Sequence, residues 1–338
     1  MADRPRFSSD QLTQFFDRIG LSRQKRIYSV GGRTDDDKLK YLYLLKKHTL
    51  VRIPFENLTL HYSWHRTINV RPQHLFNKIV SPPSRRGGYC MEANSLFHTV
   101  LLSLGYQAFM AGARVCSKDT GKYGGFSHCV NIVIIGNERW MLDVGFGANG
   151  PTMPMHLSHE FYASHVRASQ AKTRVVHEPI PQNVDQSQKI WIYQFQIGPG
   201  EEWVPQYCFV DTEFLLEDIR CMNLSPWKSP SSWFTQKVVL TRFTTHLERE
   251  KADDLSDGPG SASEGVISRG DIDGALILFH DSLKWRRFGR TKLEIKFSSD
   301  AERIDAIRKY FGIELDEEDR EAIRGTVGEI RSVPNLFD

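Results

Sequence analysis

Cys90 stands in the run Arg86-Gly87-Gly88-Tyr89-Cys90-Met91-Glu92-Ala93-Asn94, and its neighbours bear on whether its thiol can act as a nucleophile. Two glycines permit a tight turn, after which Leu96, Phe97, Val100, Leu101 and Leu104 recur at helical spacing until Gly105. The spacing predicts a helix that begins at Cys90. Unpaired backbone N–H groups and the positive end of the helix dipole favour thiolate at such a start, and Arg85 and Arg86 add positive charge. The chemistry this would support is attack on a carbonyl carbon. On its own, a cysteine behind a Gly-Gly turn is more often a small buried hydrophobe, so the rest of the chain has to supply partners.

A thiolate enzyme needs a base and a group to orient it. Residues 129–135 read as a strand, Gly136-Asn137 as a tight turn, and 139–144 as the returning strand. With Gly136 and Asn137 as the two turn residues, Ile135 faces Glu138 and Val130 faces Asp143. His128 lies two residues before Val130, so it projects from the same face as Asp143, as a diagonal neighbour at roughly 7–8 Å. One hairpin thus delivers an imidazole beside a carboxylate. The chain holds 12 His and 41 acidic residues, enough for such a pair to arise by chance, and periodicity does not bring it to Cys90.

Residues 86–94 resemble the RGGxCxExN signature of the arylamine N-acetyltransferases, acyl-CoA-dependent enzymes of xenobiotic metabolism. Four further segments agree in order. Pro54-Phe55-Glu56-Asn57-Leu58 resembles the family's PFENL stretch, Ser127-His128 its catalytic-histidine site, and Asp143-Val144-Gly145-Phe146-Gly147 its DVGFG motif. Ser229-Pro230-Ser231-Ser232-Trp233-Phe234 resembles a segment that contacts the coenzyme. The likeness is dense from about residue 50 to 150, patchy from 190 to 240, and too weak to use beyond Glu250.

The resemblance implies a catalytic triad of Cys90, His128 and Asp143. It also implies an α+β fold with three parts: a helical bundle over 1–105 carrying the cysteine, a β-barrel over 106–225 carrying the histidine and aspartate, and an α/β lid over 226–338, around a core like that of cysteine proteases and transglutaminases. The implied reaction is ping-pong transfer of an acetyl group, or of propionyl or malonyl, from acyl-CoA to an arylamine, hydrazine or aminophenol. Gly124, Gly125, Ser231 and Ser232 are the expected coenzyme contacts, and Phe126 and Ser127 the expected acceptor contacts. Arg114 or another arginine near the pocket could meet a malonyl carboxylate. Arg86, Glu92 and Asn94 are expected to hold the start of the cysteine's helix, and Cys116, Cys129, Cys208 and Cys221 to be spectators. A cysteine hydrolase or transglutaminase-like enzyme using the same triad is the alternative, and a non-catalytic binding protein a third reading.

Composition bounds these expectations. A chain of 338 residues with 40% hydrophobic content has room for two or three ordinary cores. Five cysteines, an odd number without a CxxC pair, argue against a disulfide framework and a zinc site, so no metal is expected. Charged residues are scattered through the first 17 positions, which hold no signal-like apolar core, and no apolar run approaches the ~20 residues of a membrane span; a cytoplasmic monomer acting on small molecules is expected. A net charge of +3, with Lys and Arg scattered, does not suggest nucleic acid.

Along the chain, Ser9-Asp10 caps an expected helix over 11–19, and 35–49 suits another with Leu39, Leu42, Tyr43 and Leu45 on its apolar face. Short strands and turns are expected from Tyr106 to about Arg220. The polar stretches 165–188 and 248–270 read as mobile surface insertions. Lys284-Trp285-Arg286-Arg287-Phe288 reads as an exposed strand, 275–279 and 293–297 as strands, and 301–311 as a closing helix.

Overall fold

The computed structural model describes residues 4–82, 85–248 and 270–331. Helix α1 (Ser9–Arg18) starts two residues earlier than expected, because Ser8 is the cap: its hydroxyl accepts from the Gln11 backbone N–H while the Gln11 side chain accepts from the Ser8 N–H. Helix α2 (Asp35–Arg52) is capped by Thr34, and Asp35, Asp36 and Asp37 place negative charge at its positive dipole end. Strand β1 (Phe55–Glu56) and helix α3 (Pro72–Leu75), which runs into a π-turn over Phe76–Val80, lead to α4 (Cys90–Ser103). Cys90 is the first residue of α4, as its spacing predicts, and the helix gives out before Gly105, which takes φ +88°. Phe15, Phe16, Leu42, Leu45, Phe97 and Leu101 join in one core between these helices, each burial contributing about 1.5–3 kcal/mol.

Eight antiparallel strands follow: β2 (Gln107–Cys116), β3 (Tyr123–Ile135), β4 (Glu138–Leu142), β5 (Met155–His156), β6 (Tyr162–Ser164), β7 (Lys172–Glu178), β8 (Ile190–Gln196) and β9 (Val204–Phe209). Their spatial order is β5-β4-β3-β2-β9-β8-β7-β6. The outer strands curl toward one another, with Thr173 Oγ1 on β7 3.8 Å from Met155 Sδ on β5, so the sheet is a nearly closed barrel around Ala111, Val130, Ile132, Met141 and Tyr207. The β3–β4 hairpin has the expected register, Ile135 opposite Glu138 through Asn131 opposite Leu142, about a turn in which Gly136 takes φ +59°. Stretch 165–188 departs from expectation. Its middle is β7, paired with β8 along its whole length and burying Val175 on one face and Val176 on the other; the polar residues interleaved with them hide the strand from a composition reading. Of the stretch 248–270, residues 249–269 lie outside the described part.

Strand structure ends at Phe209, before the expected limit near Arg220, and helices α5 (Leu216–Lys228) and α6 (Trp233–Gln236) follow. Strands β10 (Val239–Thr245), β11 (Ile272–Phe279), β12 (Ser282–Arg287) and β13 (Arg290–Lys296) then form a second antiparallel sheet, ordered β1-β10-β11-β12-β13. The segment Phe55–Glu56 therefore reaches from the helical part to pair with β10. Helix α7 (Asp300–Phe311), capped by Ser299 and ended by Gly312 at φ +67°, lays Ile307 and Phe311 against Leu276 and Leu283; a short α8 (Glu317–Glu321) follows. The patch 284–288 is a strand but not an exposed one. Trp285 is fully buried, its indole N–H donating to Thr244 Oγ1 at 3.0 Å, and Arg287 pairs with Asp273 at 2.7 Å. Period-two alternation sends one face of this basic ribbon inward, which net charge alone conceals.

Candidate active site

The seam between α4 and β3 holds Cys90, His128 and Asp143 together. The hairpin register brings His128 beside Asp143, and the Nε2–H of His128 donates to Asp143 Oδ2 at 2.8 Å. Cys90, 4% exposed, has its Sγ 3.8 Å from the Ser127 carbonyl and interacts with the imidazole of His128. Burial works against charge on His128, but Asp143 and Cys90 together outweigh it and raise the imidazole to about 10, so the ring is an imidazolium at neutral pH. Asp143 is held below the usual carboxylate range despite burial, by His128 and by hydrogen bonds from Asn94 Nδ2 at 2.9 Å and the Gly145 N–H at 2.8 Å. Rings of Tyr207 and Phe146 lie 4.9 and 5.0 Å from the imidazole and wall it off from solvent.

Backbone fit explains the residue types of the flanking motifs. A Cβ on Gly145 would sit 2.8 Å from the Cys90 Cα and 3.0 Å from Asn94 Nδ2, so only glycine lets the strand end approach the start of α4. A Cβ on Gly87 would sit 1.8 Å from the Pro54 carbonyl oxygen, which ties the turn before Cys90 to the Pro54–Leu58 segment. Glu56 in that segment is buried and receives Arg86 Nε at 3.3 Å and the Leu58 N–H at 2.5 Å, with Lys78 at 3.6 Å; against its burial, Arg86 and Lys78 hold it at about 2. Glu92 accepts from the Tyr89 N–H at 3.3 Å and from Lys78 at 2.7 Å, so it does secure the helix start.

Arg86 and Asn94 differ from the expectation that they secure the helix start. Arg86 reaches Glu56, and Asn94 reaches across the seam, donating to the Cys129 carbonyl at 2.8 Å as well as to Asp143, and accepting from the Val144 N–H at 3.0 Å. Asn94 lies one turn after Cys90 on the same helix face, a spacing that pointed toward this partner. Lys46 also escaped the sequence reading. It is fully buried on α2, its ammonium donating to the Met153 carbonyl at 2.8 Å, and burial, opposed by Asp143, brings it down to about 7. Its place four residues after Leu42, on the apolar face, was the available signal.

At the rim, Phe126 meets Phe214 edge-on at 5.4 Å, and the Arg114 guanidinium lies 3.9 Å above the Phe126 ring. Gly124 and Gly125 are exposed at the start of β3, and the Gly124 carbonyl accepts from Arg114 Nη1 at 3.1 Å. The carbonyl of Ser127 is the neighbour of the Cys90 sulfur. Phe234 meets Tyr89 at 5.3 Å, and its carbonyl accepts from Asn57 Nδ2 at 2.8 Å, so the Pro54–Leu58 segment anchors the Ser229–Phe234 segment. Ser231 Oγ lies 2.9 Å from Ser229 Oγ, while Ser232 caps α6, accepting from the Phe234 N–H at 3.3 Å. All five cysteines are free. Cys129 touches the Cys90 carbonyl at 3.7 Å, and burial with Cys90 and Asp143 nearby pushes its thiol up. Cys116 and Cys208 are buried in the barrel region, and Cys221 is exposed on α5. Among the described residues, no helix is long and apolar enough to cross a membrane.

Comparison with known proteins places this geometry in a class. The chain superimposes on an arylamine N-acetyltransferase from Salmonella typhimurium with a TM-score of 0.71 at 22% identity, over 94% of this chain and 98% of that one. The arylamine N-acetyltransferase of Mycobacterium marinum in complex with CoA matches with a TM-score of 0.67 at 23% identity, over 92% of this chain and 98% of that one. These likenesses define the fold. Residues 38–250 match the N-acetyltransferase family model, and the chain is 30% identical to N-malonyltransferase FDB2 of Fusarium pseudograminearum over 94% of its length and 93% of that protein's. The chain belongs to the arylamine N-acetyltransferase family and is an acyltransferase. The α+β fold expected from the motifs is the observed one.

Proposed function

We propose that this chain moves an acyl group from acyl-CoA to an arylamine, hydrazine or aminophenol through a thioester on Cys90. The observation that carries the reading is the seam at which a buried Cys90 meets an imidazolium held by Asp143. Cys90 attacks the thioester carbonyl as a thiolate paired with His128, and its own backbone N–H, at the start of α4, stabilises the oxyanion. The S–C bond to the coenzyme breaks, and the departing thiolate takes the proton from His128. The amine then attacks the Cys90 thioester, His128 accepts its excess proton, and Asp143 keeps the ring oriented. Product leaves as amide, so one pocket serves both substrates in turn.

Likeness to an N-malonyltransferase supports malonyl beside acetyl as the transferred group. Exposed backbone at Gly124 and Gly125, with Ser231 and Ser232, is assigned to the coenzyme, and Phe126 and Ser127 to the acceptor amine. We retain the division into residues 1–105, 106–225 and 226–338, and assign a monomer in a reducing compartment such as the cytosol, which suits five free cysteines and a role in clearing xenobiotic amines.

The test is the intact mass of the purified protein after brief exposure to acetyl-CoA or malonyl-CoA without amine, with Cys90→Ala as control. An acyl increment that needs Cys90 and vanishes on adding an arylamine is expected. No increment from either donor would overturn the reading, and loss of the increment in water alone would replace it with a thioester hydrolase.

A further inference from the structure

We propose that Arg114 reads the free carboxylate of a malonyl donor and so sets the acyl preference of the Cys90 site, an inference that rests on the acyl-CoA reading above. Arg114 is the strand partner of Phe126, across a bulge created by Ser127, while its neighbour Ala113 pairs with His128. The bulge puts consecutive β2 residues to different uses. Ala113 sits in the barrel core beside the catalytic imidazole's strand position, and Arg114 emerges on the other face over Phe126, next to the residue whose carbonyl touches the Cys90 sulfur.

Orientation and charge both fit the role. The guanidinium is fixed from two sides, stacked 3.9 Å above the Phe126 ring and tethered through Nη1 to the Gly124 carbonyl at 3.1 Å. Phe126 is itself wedged against Phe214. A planar cation held this way loses little freedom on receiving a ligand, and its fork matches a carboxylate. Among the described residues, no carboxylate pairs with Arg114, and its single side-chain hydrogen bond leaves Nε and Nη2 unspent. Three other cations named at the site have their own partners: Lys46 the Met153 carbonyl, Arg86 Glu56 and Lys78 Glu92.

A malonyl thioester carries its second carboxylate one methylene beyond the carbonyl that Cys90 attacks, whereas an acetyl thioester ends in a methyl group. In the transfer step the Cys90 S–C bond forms, the coenzyme S–C bond breaks, the coenzyme sulfur takes the proton of His128, and the distal carboxylate stays ionised against Arg114. Acetyl leaves the guanidinium with nothing to bind. Malonyl therefore gains a charge-assisted contact that acetyl cannot make.

The experiment compares the rates at which malonyl-CoA and acetyl-CoA acylate Cys90, followed by intact mass, in the wild-type chain, in Arg114→Met and in Arg114→Lys. Wild type is expected to favour malonyl; Arg114→Met should lower the malonyl-to-acetyl ratio about 30-fold, with Arg114→Lys in between. Using the ratio cancels any general loss of folded enzyme. An unchanged ratio in Arg114→Met, or a wild type that favours acetyl, would overturn the assignment of Arg114 while leaving acyl transfer in place. Failure of both donors to label wild-type Cys90 would instead overturn the acyl-CoA reading beneath it.

Discussion

The seam around Cys90 and the rim a few residues away share strand β3 yet treat polar groups in opposite ways. In the seam, both oxygens of Asp143 are engaged, Asn94 spends its amide on both sides of the interface, and the imidazole is enclosed by Tyr207 and Phe146. At the rim, Arg114 keeps donors in reserve and Gly124 and Gly125 leave backbone open. A satisfied, water-poor network holds one geometry and one protonation state, which bond-making chemistry needs. Unspent donors on a stiff support suit discrimination between ligands. The contrast predicts that seam substitutions strike turnover whatever the substrate, and rim substitutions alter which substrate is used.

The largest effect should follow from Asp143→Asn, which keeps the shape of the seam but removes the charge that raises His128. Acylation of Cys90 at pH 7 should fall by about 10³–10⁴ with either donor. In the wild type, Asp143 and Cys90 keep His128 protonated up to about 10, so loss of acylation through deprotonation of His128 should come only near that pH; a loss centred near 7 would contradict this.

Gly145→Ala tests the seam by crowding, since its new methyl would collide with the Cys90 backbone. A loss of about 2–3 kcal/mol in urea unfolding and about a 100-fold drop in acylation are expected. Wild-type stability with full activity would show that the two halves of the seam yield more easily than the close approach implies.

Lys46 sharpens the comparison through pH. Its folded value of about 7 lies below the ordinary lysine value, so the folded state carries the cost of a buried cation below pH 7 and sheds it as pH rises. Stability to urea should rise between about pH 7 and 10 through this residue, and Lys46→Met should flatten that rise. An identical pH profile in the variant would remove Lys46 from the account. The smallest effect belongs to the rim: Ser231→Ala should raise the KM for acyl-CoA about threefold while leaving kcat alone. A kcat loss of tenfold would move that loop into the chemistry.

Much of the site was legible because its signals are local. The start of α4 follows from two glycines and a 3.6-residue apolar period, and the His128–Asp143 pair follows from a two-residue turn that fixes hairpin register. Asn94 was visible as part of a motif but not as the ligand of Asp143, since its partners lie 35 and 49 residues away on another element. β7 was missed because Val175 and Val176, buried on opposite faces, are outnumbered by the polar residues around them, and Trp285 because a basic ribbon reads as solvent-facing until its alternation is laid against a core.

By itself, then, the sequence determined which residue starts the nucleophile's helix, which histidine faces which aspartate, and where the hairpin turns, since each depends on short-range sterics and strand periodicity. The tertiary structure alone decided that the hairpin lies against α4, that Pro54–Leu58 reaches across to the second sheet, and that Arg114 is left with free donors above Phe126. Those outcomes depend on which apolar faces bury one another across long separations, and no local pattern encodes that choice.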